Sequence, residues 1–164
     1  MKKGLFLGLI AAAVMLASCN KTLQKPDEIT VNPSPLEKVG NKVNAEITGT
    51  FPKKKFAKKG VLVVTPVLKY DGQESVGEPV TYVGEKAKEN GKTVNYKYGG
   101  TYSQSCSFDY VPAMRKSELY LRFEARVGKK VIEIPDVKIA DGIVATSELA
   151  EAKDNKTATT PDKF

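Results

Sequence analysis

The sequence predicts an all-β protein built as an antiparallel β-sandwich of about seven to nine short strands. From Ile29 onward the apolar residues alternate with polar ones, which is typical of half-buried strands and not of amphipathic helices. Glycine, proline and asparagine turn signals divide the chain at intervals of roughly 10 to 15 residues. A small closed barrel is the alternative architecture.

The predicted domain opens with an extended segment, "VNPSPLEKVG", which two prolines interrupt. The next segment, "VNAEITGTF", is an alternating strand that puts Val43, Ala45, Ile47, Gly49 and Phe51 on one face. This opening resembles that of immunoglobulin-like sandwiches, in which the first strand switches sheets at such a break. The Cys…Trp…Cys core of antibody domains is absent, so the resemblance is to bacterial immunoglobulin-like or fibronectin-like sandwiches or to a jelly roll.

The segment "VLVVTPVLKY", residues 61–70, is apolar on both faces and predicts a strand that is central in a sheet or lies between sheets. Pro66 cannot donate a backbone hydrogen bond, so we expect it at a bulge or an edge.

Shorter strands are predicted in "EPVTYVG" (78–84), "KTVNYKY" (92–98), "TYSQSCSFDYV" (101–111), "VIEI" (131–134) and "VKIADGIVAT" (137–146). The segment "SELYLRFEARV" has the clearest alternation. It predicts an inward face of Leu119, Leu121, Phe123, Ala125 and Val127, and an outward face of Tyr120, Arg122, Glu124 and Arg126.

The first nineteen residues have the layout of a secretory signal: Lys2 and Lys3, then the apolar run "GLFLGLIAAAVMLA". The run ends in "LASC", which resembles the lipobox of bacterial lipoproteins. That resemblance implies cleavage before Cys19, a diacylglyceryl group on the Cys19 thiol and an acylated N-terminus. An ordinary signal peptide with an incidental cysteine is the alternative.

This interpretation divides the chain into a signal peptide (1–18), a lipidated cysteine with a tether (19–28), a β-sandwich domain (29–146) and a polar tail (147–164) that is predicted to be disordered. The nine residues from Asn20 to Glu28 would reach roughly 30 Å when fully extended.

The lipoprotein resemblance also implies a location. Asn20 follows the cysteine where an Asp typically retains Gram-negative lipoproteins at the inner membrane, so outer-membrane sorting is expected. Surface-exported lipoproteins of the Bacteroidota can carry acids directly after the cysteine. Here Lys21 and Lys25 precede the first acids, Asp27 and Glu28, which favours the periplasmic face over the cell surface.

Three phrases, "TGTFP", "VTPVLKY" and "KIADGIVATS", resemble the N-terminal β-domain of larger Bacteroidota outer-membrane lipoproteins. In those proteins such a domain precedes helical-repeat or peptidoglycan-binding modules. The resemblance covers residues 29–146.

Composition points to no catalytic chemistry. The chain has no histidine and no tryptophan, and Cys106 is the only cysteine besides Cys19, so the lipidated protein can form no intramolecular disulfide. We find no zinc spacing and no glycine loop for phosphates, and we expect no enzyme activity, no metal and no cofactor.

A cluster of five lysines around an aromatic residue, "PKKKFAKKG", should form a loop between two strands. It is a possible contact site for anionic polymers or lipid headgroups through Lys53, Lys54, Lys55, Phe56, Lys58 and Lys59. The alternative is a solvated turn whose lysines discourage edge-to-edge pairing of strands. Nucleic acid is not expected as a partner outside the cytoplasm.

Other residues have ordinary structural interpretations. Cys106 should be a buried, inert thiol. The tyrosines should form cross-strand pairs, with sugar stacking as the alternative. Asp136 and Asp141, near Glu133, should be turn-forming residues and not a catalytic or calcium-binding pair.

The sequence therefore predicts a non-catalytic binding or scaffolding lipoprotein at the outer membrane. Its partners would be the membrane, through Cys19, and envelope proteins or peptidoglycan. The alternatives are a surface-exposed fimbrial or adhesin-type subunit and a glycan-capture protein. An enzyme acting on cell-wall glycans has no motif to support it.

Overall fold

The computed structural model describes residues 23–53 and 58–145. Cys19, the predicted signal peptide, residues 54–57 and the predicted tail at 147–164 lie outside the described residues. The described chain forms ten strands and one short 3-10 helix at Pro112–Lys116. The strands are β1 (Asp27–Val39), β2 (Lys42–Thr50), β3 (Gly60–Tyr70), β4 (Gln73–Val76), β5 (Val80–Val83), β6 (Thr93–Asn95), β7 (Thr101–Asp109), β8 (Glu118–Val127), β9 (Lys130–Asp141) and β10 (Ile143–Ala145).

Two sheets pack face to face, which confirms the predicted all-β sandwich. The first sheet has the order β10-β1-β2-β7, and the second has the order β6-β5-β3-β8-β9 with β4 also paired to β3. The pairing is not wholly antiparallel, because β1 pairs with β10 and β5 pairs with β6 in parallel. Neither pair is a hairpin: a longer connection returns the chain to the starting end before the second strand begins.

The first strand does not switch sheets at its prolines, contrary to the expectation from the sequence. β1 pairs with β2 both before the break, at Asn32 with Glu46, and after it, at Glu37 with Asn44. The four residues between these pairs bulge out of the ladder, since Pro33 and Pro35 have no N–H to donate. Leu36, at the end of the bulge, points into the core and is buried.

The crossing between sheets occurs near the C-terminal end of the described chain. The predicted strand at 137–146 is divided at Gly142, which has a positive φ of 69°. The part before Gly142 belongs to β9 in the second sheet, and the part after it forms β10 in the first. The N–H of Gly142 donates to the carbonyl of Ser117 at 2.8 Å, which fixes the position of this turn.

Pro66 lies in neither a bulge nor an edge strand. It is in the middle of β3, in unbroken register with Leu121 of β8. On the other side of β3, β5 pairs only as far as Val64 and β4 begins only at Val67. The carbonyl of Pro66 accepts from Gly77 in this interval. The missing N–H of Pro66 therefore faces a gap between two partner strands, where no ladder bond is lost.

The predicted strands at 131–134 and 137–146 are joined, since β9 runs from Lys130 to Asp141 with two register shifts against β8. β9 is an edge strand, where Pro135 is tolerated. The short hairpin strand β4, at Gln73–Val76, has no counterpart among the predicted strands.

The alternating faces that the sequence predicts are confirmed. The inward residues of β2, β7 and β8 are buried almost throughout, and the intervening residues are exposed or half-buried. A buried polar link joins the sheets: the Tyr102 hydroxyl donates to Gln104 Oε1 at 2.7 Å. Gln104 Nε2 donates to the carbonyls of Val64 and Glu78 at 3.3 and 2.9 Å. These bonds satisfy the buried amide, whose burial without partners would cost free energy.

The fold begins earlier than the sequence boundary at residue 29, because Leu23 has no exposed surface and joins the core. The hydroxyl of Tyr96 donates to the carbonyl of Gln24 at 3.1 Å and fixes this N-terminal segment (residues 23–26) in place. A Cβ at Gly49 would lie 2.9 Å from the carbonyl oxygen of Asp27, so glycine allows the segment to lie close to β2. No more than three residues, 20–22, then separate Cys19 from the fold, whereas the sequence predicts a tether of nine, residues 20–28.

Replacing Leu23 tests this boundary. We expect Leu23→Ala to lower the free energy of unfolding by about 2 to 5 kcal/mol, since it removes a buried aliphatic side chain. Urea unfolding measures the change, and Val131→Thr at an exposed strand position serves as the control, with a change within about 0.5 kcal/mol. If Leu23→Ala lowered the free energy of unfolding no more than the control does, residues 23–26 would belong to the tether and not to the fold.

Candidate functional site

One end of the sandwich gathers lysines from segments that are far apart in sequence. At this end β2 finishes beside the start of β1 and of β7, since Thr50 pairs with Asp27 and Thr101. β3 starts there beside the end of β8, since Gly60 pairs with Val127. We call this the basic end and define it by Lys25, Lys53, Lys58, Lys59, Lys86, Lys97, Lys129 and Lys130.

Backbone hydrogen bonds hold the loops of the basic end together beyond the ends of the paired strands in each sheet. Phe51 donates to Gly100 at 2.8 Å and Gly99 donates to Pro52 at 3.2 Å, which links the end of β2 to the segment before β7. Lys86 donates through its backbone N–H to the carbonyl of Lys58 at 2.8 Å. These bonds put lysine-bearing segments in fixed relative positions.

Beneath the loops of the basic end, an aromatic cluster fills the core. The ring of Phe51 lies 4.4 Å from that of Tyr96, 5.1 Å from that of Tyr82 and 5.8 Å from that of Tyr102, centroid to centroid. Burial raises the pKa of all three tyrosines above the ordinary value. These buried rings are part of the core and offer no exposed platform for stacking on sugars.

Three of the predicted contact residues, Lys53, Lys58 and Lys59, lie exposed at the basic end. The aliphatic part of Lys53 runs against Gly99, where an added Cβ would be 2.8 Å from Lys53 Cγ. Lys54, Lys55 and Phe56 lie outside the described residues. The sequence missed the other lysines of the basic end because no local pattern joins Lys86, Lys97, Lys129 and Lys130 to this loop.

Few of the basic-end lysines are neutralised by ion pairs. Lys58 Nζ lies 3.6 Å from Glu85, and Lys25 Nζ lies 3.9 Å from Asp27. The remaining six lysines of the basic end make no ion pair with any residue in the described ranges. Six unneutralised ammonium groups at one end create a positive potential that attracts anions.

The outer face of the second sheet carries a charged network, defined by Lys69, Glu74, Glu118, Tyr120, Arg122, Asp136, Lys138 and Asp141. Arg122 holds both carboxylate oxygens of Glu74, at 2.8 and 2.9 Å. The hydrogen bond from Lys69 to Asp136, at 3.0 Å, raises the pKa of the Lys69 amine. The charges of the network are therefore largely neutralised by one another.

Asp136 does not form a turn, contrary to the sequence prediction: it lies inside β9, where it contacts Lys69. Asp141 is the last residue of β9, directly before the turn at Gly142, and it contacts Lys138 at 3.1 Å. Glu133, on the same strand, is exposed. Within residues 23–53 and 58–145 no group of three or more acidic, cysteine or histidine side chains is arranged to hold a metal ion.

A shallow groove of about 730 Å³ lies over the outer face of the first sheet. Its walls include the bulge of β1 at Pro33 and the segment between β4 and β5 at Glu78. Polar side chains on β2 and β7 form its floor, and they are Asn44, Glu46, Ser105 and Ser107. Amide, hydroxyl and carboxylate groups of this kind hydrogen-bond polar ligands.

No protein-family model, curated protein or solved structure matches this chain. In the part of the chain that the structure describes, no helix has both the length and the apolar character needed to cross a bilayer.

The chemistry of Cys106 gives a direct test of core packing. Burial raises the pKa of its thiol to about 11 from the ordinary 9.0, so little thiolate forms at pH 9. We expect iodoacetamide to leave Cys106 unmodified in the native protein at that pH and to alkylate it completely in urea, as measured by peptide mass. Rapid alkylation of the native protein would contradict the burial of this strand.

Proposed function

We propose that the protein is a lipid-anchored lipoprotein of the cell envelope that acts as a non-catalytic binding or scaffolding module at the outer membrane. The observation that carries this proposal is the docking of the N-terminal segment. Leu23 is buried in the core only four residues after Cys19, so a lipid on Cys19 would attach almost directly to the folded domain. The anchor would then fix where the domain lies as well as hold it at the membrane.

The end opposite the basic end lies away from Leu23, where the described chain begins, and in this proposal it would meet protein partners. It is formed by the turn at Gly40 and Asn41, the turn at Asp71 and Gly72, and the 3-10 helix. Two exposed valines, Val39 and Val111, lie at this end, and the backbone N–H of Tyr110 donates to the carbonyl of Asn41 between their segments. In this proposal the exposed apolar side chains would contribute to the contact with a protein partner.

The periplasmic face is preferred to the cell surface on sequence grounds alone, through the lysines that follow Cys19. The fimbrial or adhesin alternative resembles proteins that mature by cleavage at an arginine. Arg122 and Arg126 lie within β8, where both pair with acids, and Arg115 lies in the 3-10 helix. Cleavage in β8 would cut a strand paired on both sides, which makes that alternative the weaker one.

The glycan-capture alternative draws its support from the groove on the first sheet. Its polar floor suits sugar hydroxyls, but the residues that line it include no aromatic ring for stacking. Protein scaffolding is therefore the preferred function.

Replacing Cys19 tests the anchor. Wild-type protein should incorporate a clickable fatty acid and stay with membranes after a salt wash, because more than one acyl chain holds it stably. We expect Cys19→Ala to lose both the label and the salt-resistant attachment, as measured by gel fluorescence and fractionation. Cys106→Ala is the matched control and should behave as wild type. Labelled or salt-resistant Cys19→Ala protein would refute the anchor.

A further inference from the structure

We propose that the basic end is a docking surface for the anionic phosphate headgroups of the membrane that holds Cys19. The inference rests on the proposed lipid anchor and goes beyond it, since an anchor alone sets no orientation. It assigns the domain a defined orientation on the membrane, with the basic end against the bilayer and the opposite end directed away from it.

The first step is the convergence of charge on one surface. Exposed lysines reach the basic end from the loop after β2, the loop after β5, the segment before β7 and the turn between β8 and β9. In the sequence they are scattered between residues 25 and 130. A solvated turn that only protects one strand edge would not need lysines from four separate connections.

The second step is a contrast between the two ends. At the opposite end Lys42 donates to Asp109 at 2.7 Å, and Lys138 lies between Glu118 and Asp141 at 3.2 and 3.1 Å. At the basic end six exposed lysines have no ion pair among the described residues, and the acids nearby are partly taken, Glu89 by Arg126 and Glu85 by Lys58. Lys116 at the opposite end also has no ion pair among the described residues, but it is one exposed lysine against the six of the basic end, so the positive potential is greater at the basic end.

The third step is reach. Four residue steps from Cys19 to Leu23 can span at most about 14 Å. Leu23 and Gln24 lie at the basic end, where they line a small cavity with Pro52 and Ile132. The surface potential of an anionic leaflet decays over roughly 8 Å at physiological ionic strength. A lipid on Cys19 would therefore keep these lysines within or beside the zone in which headgroup charge acts.

The opposing acids of the basic end do not cancel this attraction. Asp27, Glu28 and Glu133 are exposed there, and Lys25 is the neighbour of Asp27. Glu124, also exposed, pairs in register with Glu133 on the neighbouring strand. The basic end therefore has eight lysines and six acids (these four, with Glu85 and Glu89), a positive excess of 8 − 6 = +2 before Arg126 is included. Near an anionic surface each such lysine strengthens association by about fivefold.

Lysine footprinting of the full, lipidated protein tests the docking surface. The protein is placed in vesicles of phosphatidylcholine alone or with about one third phosphatidylglycerol, and a membrane-impermeant reagent acetylates accessible amines. We expect the anionic vesicles to lower the reactivity of Lys53, Lys59, Lys129 and Lys130 by about fivefold. Lys42, Lys116 and Lys138 at the opposite end should react equally in both vesicles, and high salt should abolish the difference.

A pair of matched variants separates charge from proximity. Lys59→Gln with Lys129→Gln and Lys130→Gln removes three charges from the basic end, and Lys42→Gln with Lys116→Gln and Lys138→Gln removes three from the opposite end; all six side chains are exposed. The first triple should lose the protection of Lys53 and the second should keep it. Circular dichroism and urea unfolding establish that both variants are folded.

The docking surface would be overturned if the basic-end lysines were protected equally in both vesicle types, or if the lysines of both ends were protected equally. It would also be overturned if both triple variants lost the protection of Lys53, or if glycerol phosphate in solution protected the basic-end lysines as well as the vesicles do. The last would identify a site for free phosphate. Failure of the anchor is recorded separately, since protein without an acyl group on the Cys19 peptide would not enter the vesicles. Anchored protein without charge-selective protection refutes only the docking surface.

Discussion

The attachment of the N-terminal segment to the end of the sandwich is the constraint on which the proposed function depends. Leu23 is buried, and the carbonyl of Gln24 accepts a hydrogen bond from Tyr96, whose ring packs on Phe51 in the core. The segment is therefore part of the fold, and in the proposed anchor a lipid on Cys19 would be held near the basic end. A long tether would leave the domain free to rotate relative to the membrane. A linker of no more than three residues, 20–22, would restrict that rotation.

The two ends of the domain are thereby given different physical roles. The aromatic cluster below the basic end supports loops that carry lysines, and backbone hydrogen bonds between neighbouring loops fix those loops. The far end is built from turns whose charges are largely paired and which present Val39 and Val111. The charged network on the second sheet extends along one side of the sandwich to the opposite end, and the polar groove lies on the outer face of the first sheet.

Local pattern in the sequence was sufficient for the sheet faces, because a period of two assigns the inward residues of β2, β7 and β8 without knowledge of the partners. It was not sufficient for properties that depend on pairing. The parallel pairs, the crossing at Gly142 and the tolerated Pro66 are set by which strands lie side by side. Likewise Leu23 stands in a polar stretch, and its burial depends on the core side chains that the fold brings around it. Lys129 and Lys53 lie on the same surface only because the strand order brings the β8–β9 turn and the loop after β2 to the same end of the sandwich.

The most direct test of this account is the depth of each end of the lipidated protein on an anionic bilayer. Spin labels placed singly at Lys129 and at Asn41 report their distances from the membrane through collisions with lipid-soluble and water-soluble relaxing agents. Both residues are exposed, and they lie in turns at opposite ends of the sandwich. The account predicts a label at the headgroup level for Lys129 and a fully aqueous label for Asn41. Equal depths for the two labels, or a deeper label at Asn41, would contradict it.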